Sequence, residues 1–229
     1  MCGRFSLSTD SKTISQHLRL DVQLELMPRF NIAPTQGVVA VRYNAPEFPN
    51  QTEACMLRWG LIPSWAKDPS IGNRMINARS ETAREKPAFR SAFKYRRCLV
   101  LADGFYEWKK EGKAKQPYWI QMADEKPFAF AGLWEHWQDP GGNELDTCTI
   151  LTTSPNELMK SIHDRMPVIL EPDNFDLWLK AEPTQRDELQ SLMKPLPAEL
   201  MMATAVSTFV NKPGNDDARC IEPQQPGLF

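Results

Sequence analysis

RCLVLADGFYEWKKEGKAKQPYWI, residues 97–120, decides the fold. RCLVLA is a short apolar run, FYEW follows an Asp-Gly break, and PYWI resumes after the polar tract KKEGKAK. Runs of this length, bounded by Gly, Asp and Pro, read as strands. Glu107 to Ile120 reads as a hairpin with its turn around Glu111-Gly112-Lys113. Alternation then puts Phe105 and Glu107 on one face of the first strand and Tyr106 and Trp108 on the other. A glutamate so placed either faces solvent, paired with a lysine such as Lys109, or sits desolvated among rings, where it holds a proton more tightly. The stretch alone leaves both readings open.

Similar runs recur on either side: GVVAVRY, EACMLRW, FAFAGLW, TCTILTT and MMATAVST. Helical patterns are fewer. They cover about Asp10 to Met27, Glu81 to Phe93 with Pro87 disturbing it, Phe175–Lys180 and Gln185–Met193. In SPNELMKSIHD, Ser154, Pro155 and Glu157 supply N-cap, first-turn and capping-box positions for a helix that ends near His163. The expectation is a mainly β, α+β fold with peripheral helices, in one domain over residues 1–229. At 229 residues, with 7 Trp and 11 Phe, the chain can bury a sizeable core.

No charged segment followed by an apolar run opens the chain, and no stretch approaches the ~18 apolar residues of a membrane span, so a cytoplasmic protein is expected. Five cysteines without a CxxC pair fit reduced thiols, and with three histidines they give no zinc pattern. Neither a metal nor a cofactor is expected. A net charge of −2 and a pI near 6.0 hide a polarity. Residues 1–120 carry 19 Lys+Arg against 11 Asp+Glu, and residues 121–229 carry 8 against 18. A basic face able to meet phosphates is one reading; two solvated faces of opposite sign is the other.

The N-terminus is MCGRF. Removal of Met1 would leave Cys2 with an α-amine (pKa ~8) and a thiol (pKa ~8.5) on adjacent carbons, a bifunctional nucleophile at neutral pH. Its candidate partners are Glu107 as a proton-exchanging group and His163, next to Asp164 and Arg165. Asn77 could position a substrate by its amide, with Arg79 on the same face if that stretch is extended. Trp59 and Trp65 flank a Gly- and Pro-bearing loop, and Trp65 is the better candidate for an exposed ring that stacks on an unpaired base. Arg4, Arg29, Arg74, Arg79, Arg84, Arg90 and Arg165 are available to phosphates.

MCGRF, RFNIAP, WGLIPSWAKD, INARSET, LVLADGFYEWKK, IHDRMPVIL and VNKPGNDDARCIEP, in that order, resemble the SOS-response-associated peptidase family, whose members sense abasic sites in single-stranded DNA. The resemblance runs from Met1 to about Pro223. It implies a compact, mainly β fold with a barrel-like core and a DNA channel ending at residue 2. It also implies that Cys2 is the nucleophile, Glu107 the acid/base, His163 its catalytic neighbour and Asn77 a positioning residue. Arg4, Asn31, Pro34, Trp65, Arg79, Arg84 and Arg165 would lie along the DNA. The expected partner is abasic single-stranded DNA, held by a monomer and captured as a thiazolidine. Two rivals are a cysteine peptidase that removes its own leader and a single-stranded DNA-binding module with an incidental thiol.

Overall fold

A computed structural model describes residues 2–22, 26–45, 47–112 and 114–224; Met1 and the expected turn residue Lys113 lie outside them. Thirteen strands are described: β1 Phe5–Leu7, β2 Arg29–Ile32, β3 Gly37–Ala45, β4 Phe48–Trp59, β5 Asn77–Arg79, β6 Arg97–Ala102, β7 Gly104–Glu111, β8 Ala114–Met122, β9 Phe128–Gln138, β10 Glu144–Thr153, β11 Met166–Pro167, β12 Ile169–Leu170 and β13 Met201–Ala205. The helices are short: α1 Ser11–Leu18, α2 Arg90–Tyr95, α3 Glu157–Lys160, α4 Phe175–Lys180 and α5 Arg186–Leu192.

Five strands close into a barrel. β4 pairs with β3, β3 with β6, β6 with β9 and β9 with β10, all antiparallel. The ring closes where β10 runs parallel to β4 through Thr147↔Arg58 and Cys148↔Trp59. Closure removes exposed strand edges that would otherwise recruit other chains. Past that seam, β10 continues in parallel with β5, matching Ile150 to Asn77 and Thr152 to Arg79. The second sheet is antiparallel, in the order β13-β8-β7-β1-β2.

The 97–120 stretch links the two sheets. β6 lies in the barrel, and after Asp103 the chain enters β7 of the second sheet. That corner is buried, and the Asp103 carboxylate is satisfied there by Ser6 Oγ at 2.7 Å and by the Ser8 and Thr9 backbone N–H groups at 2.5 and 2.8 Å. Gly104 follows because a Cβ there would sit 2.0 Å from the Trp119 indole nitrogen. β7 pairs with β8 from Phe105↔Ile120 to Glu111↔Ala114, so the expected hairpin is present.

Alternation on β7 serves two cores. Phe105 packs with the main cluster, its ring 6.1 Å from Phe130, while Tyr106 joins Val206, Val210 and Cys220 on the opposite face. Phe5 of β1 makes edge contacts with Trp59 at 5.1 Å and Phe130 at 5.6 Å, locking the second sheet onto the barrel. Aromatic burial of this kind dominates core energetics. Phe130→Ala should therefore cost ~3–5 kcal/mol, read as a lower urea midpoint at unchanged slope.

The helices depart from expectation in instructive ways. Among the described residues the Asp10–Met27 pattern yields α1, stopped by Arg19 in the left-handed conformation at φ 53°; residues 23–25 of the pattern lie outside the described residues. The Glu81–Phe93 pattern becomes consecutive turns, with helix only from Arg90, because Pro87 cannot donate a helical N–H. Ser154 is not the N-cap of α3: Asn156 is, accepting from Met159 N–H at 2.9 Å while its own Nδ2 donates to Leu196 O at 2.8 Å. That second, buried bond fixes the Asn156 side chain in place, so Pro155 lies outside the helix and α3 ends at Lys160. Among the described residues no helix is long and apolar enough to cross a membrane.

Candidate functional site

Cys2 enters the molecule where the second sheet meets the barrel. The Tyr106 N–H donates to Arg4 O at 2.9 Å, extending the β1–β7 ladder back towards the N-terminus. Cys2 is completely buried, and its carbonyl accepts a 2.7 Å hydrogen bond from Asn77 Nδ2 on β5. β5 runs in extended form beside β10, which is what places Asn77 and Arg79 on one face as the sequence suggested. The other amide atom, Asn77 Oδ1, is buried with no partner among the described residues. It is an acceptor free for a ligand hydroxyl or amine.

Glu107 projects from β7 on the Phe105 face and is 3% exposed. Burial raises its pKa above the ordinary 4.5, and the nearby His163 ring pulls it partly back. The Cys2 thiol is pushed up as well, chiefly by burial and then by the Glu107 charge, so the two side chains feel each other. His163 follows α3, its N–H bonded to Met159 O at 2.8 Å. Its Nδ1 accepts from the Arg165 N–H at 3.0 Å and lies 2.9 Å from Asp164 Oδ1. These two contacts hold the imidazole in place.

Arg4 is anchored from a distant part of the sequence. Its Nη1 donates to Asn31 Oδ1 at 2.6 Å and Val210 O at 3.0 Å, and its guanidinium lies 5.8 Å from the Trp108 ring centroid. Asn31 is fully buried, and its Nδ2 donates to the carbonyls of Val210, Lys212 and Asn215. With these bonds it ties Arg4 to the 207–217 segment. Asp216 completes the clamp, accepting from the Phe30 and Asn31 N–H groups at 2.6 and 2.8 Å and pairing with Arg29. The candidate set from sequence omitted Asp216; the Asn/Gly/Asp-rich stretch VNKPGNDD, dense in local acceptors, was its signal.

The remaining candidates spread outward. Trp65 is 60% exposed, whereas Trp59 is buried and donates from its indole to Ile76 O, the division expected from the loop. Pro34 is half-buried in the turn after β2, beside Thr35 at φ 73°. Arg79 is exposed at the end of β5. Arg165 grips Glu81 in a fork at 2.6 and 2.8 Å and donates to Thr152 O, so an incoming phosphate must share or displace Glu81. Arg84 lies instead in a basic cavity beside α2, with Arg90, Lys94 and Arg97. Among the described residues no cluster of His, Cys, Asp or Glu is arranged to hold a metal.

The chain is 47% identical to abasic site processing protein YoqW of Bacillus subtilis (strain 168), covering 97% of this chain and 99% of that one. It is 29% identical to YedK of Escherichia coli (strain K12), across 97% and 100% of the two chains, and 34% identical to HMCES of Gallus gallus, across 88% and 68%. A crystal structure of a Bacteroides thetaiotaomicron protein superimposes with a TM-score of 0.85 at 30% identity, over 98% of this chain and 100% of the other. The family described as "SOS response associated peptidase (SRAP)" matches residues 1–213, and with a closed barrel, a buried Cys2 and its Asn77 grip in place, the chain belongs to that family.

Proposed function

We propose that the protein processes abasic sites in single-stranded DNA by capturing the ring-opened sugar on Cys2 as a thiazolidine. One observation carries the reading: a buried Cys2, fixed through its carbonyl by Asn77, is electrostatically coupled to a buried carboxyl at Glu107. The named relatives are abasic site processing proteins, which supports the same substrate.

Once Met1 is removed, the α-amine lone pair attacks the aldehyde carbon to give a carbinolamine. Glu107 would assist the sugar ring opening that exposes this aldehyde, and later reversal; loss of water from the carbinolamine gives an imine. The thiol then adds across the C=N bond; sulfur takes the carbon and its proton ends on the ring nitrogen. The net change is one water released. His163, which contacts both Asp164 and the Arg165 N–H, would shuttle protons or stabilise the opened sugar. Asn77 Oδ1 is available to the sugar hydroxyls.

The peptidase reading asks the thiol to attack first, which favours a depressed thiol pKa. Burial here raises it, a condition that an amine-first reaction tolerates. Mass spectrometry of the Met1-free protein with an abasic oligonucleotide tests the proposal: the adduct should equal both masses less one water and map to the first peptide. An adduct on a lysine would overturn it.

Arg4, Arg79 and Arg165 would contact the backbone, with Trp65 stacking on a base. Affinity for undamaged single strands should then fall with salt by about −0.7 in the log–log slope per phosphate contacted. Arg79→Ala should flatten that slope by about the same amount, and a salt-independent affinity would sink the basic path.

A further inference from the structure

Beside α2 lies a cavity of about 450 Å³ that the capture chemistry does not use. Phe93, Pro183 and Leu189 give it apolar walls, and Arg84, Arg90, Lys94 and Arg97 face it with four cations. Glu85 is the one carboxylate on its lining among the described residues, and it lies 3.5 Å from Arg84. Positions 90, 93 and 94 follow helical spacing on α2, so two of the cations and the ring share one face, and Arg97 meets them from the start of β6. Arg90 and Lys94, four residues apart, repel each other unless an anion lies between them.

Arg97 makes the excess positive charge a built feature. It is 4% exposed, and its guanidinium donates to the carbonyls of Phe93 and Lys94 at the end of α2 and of Trp178 and Ala181 at the end of α4. No carboxylate lies within ion-pair distance of it among the described residues, and Glu182 attracts it only from further off. Burial lowers its pKa to about 10, which still leaves it charged at neutral pH. A desolvated cation fixed by four carbonyls, beside two further cations and an open cavity, has no carboxylate against it among the described residues, although the helix-end carbonyls satisfy its donors.

We propose that this cavity is a binding site for a phosphate ester. The ester comes either from the backbone of a single strand that passes the site or from a free nucleotide. The first source rests on the DNA-capture reading; the second does not. A phosphate would bridge Arg90 and Lys94, with Arg97 behind it and the apolar wall against the sugar or base.

The test compares wild type with the double variant R90Q/K94Q, which leaves Arg97 and both helix ends intact. Removing a repelling pair should not lower the thermal midpoint, so weaker binding cannot be read as unfolding. The probes are an undamaged, labelled thymidine oligonucleotide and thymidine 5′-monophosphate. For a backbone site, the variant should bind the oligonucleotide about tenfold more weakly at low salt, with a log–log slope shallower by about 0.7. For a nucleotide site, the variant should lose monophosphate binding and keep the oligonucleotide. Unchanged affinity and slope for both probes would overturn the proposal. Neither probe carries an aldehyde, so a wild-type protein that fails to crosslink an abasic strand would sink the capture reading and leave this result standing.

Discussion

Cys2→Ala should reduce the covalent adduct with an abasic strand to background, and Cys2→Ser should do nearly the same in the absence of a reductant. The alanine variant keeps the α-amine but has no second nucleophile, so any imine it forms hydrolyses. The serine hydroxyl is a much weaker nucleophile than a thiol and adds poorly to the imine. Borohydride should therefore trap either variant on DNA as the reduced imine, while the untreated complexes fall apart. Both variants keep the Asn77 bond, because that bond is to the residue 2 carbonyl and not to its side chain. Neither change removes much packing volume beyond the sulfur of one buried residue. A protein that retains Met1 has the thiol but no free amine at Cys2, and it should fail as completely as Cys2→Ala. If that form crosslinked normally, the sulfur alone would be the nucleophile and the thiazolidine would have to be abandoned.

The strands were legible wherever a strand is long enough to carry its own pattern. β3, β4, β6 to β10 and β13 all correspond to apolar or alternating runs, because side chains that alternate between core and surface write themselves into the sequence. β1, β2, β5, β11 and β12 span four residues or fewer and exist through their partners. FSL and NAR carry too little periodicity to be recognised alone; pairing to β7 and to β10 makes them strands. Barrel closure was illegible for the same reason, since the parallel β4–β10 seam rests on two matched pairs 89 residues apart (58 with 147, 59 with 148).

At the site, residue types were readable and contacts were not. Glu107 could be placed on the Phe105 face by counting, but whether that face was wet depended on how the second sheet packs. Asn31 was readable as a polar candidate, but not its bonds to Arg4 and to the carbonyls of Val210, Lys212 and Asn215. Its partner segment lies about 180 residues away, beyond any local pattern.

Glu107→Gln should slow capture of an abasic strand by ~10²–10⁴-fold, the usual weight of one acid–base group. Release should slow with it, because both directions cross the same imine. The substitution keeps size and much of the hydrogen bonding and removes only the exchangeable proton. It should also change stability in a known direction. A carboxyl whose folded pKa is raised binds protons more tightly in the native state, so wild-type stability falls as pH rises from about 4.5 through the raised value. Glutamine has no such term, and the variant should gain stability relative to wild type above that window, read from urea midpoints across pH. A site that is less stable when ionised, and slow when made neutral, is what a group kept for proton transfer would give. A small open-chain aldehyde separates the remaining roles, since it needs no sugar ring opening. If Glu107 acts on the sugar, the variant should capture the small aldehyde at near wild-type rate while failing on the abasic strand. An equal loss on both would mean that Glu107 activates Cys2 itself, and its assignment to ring opening would be withdrawn.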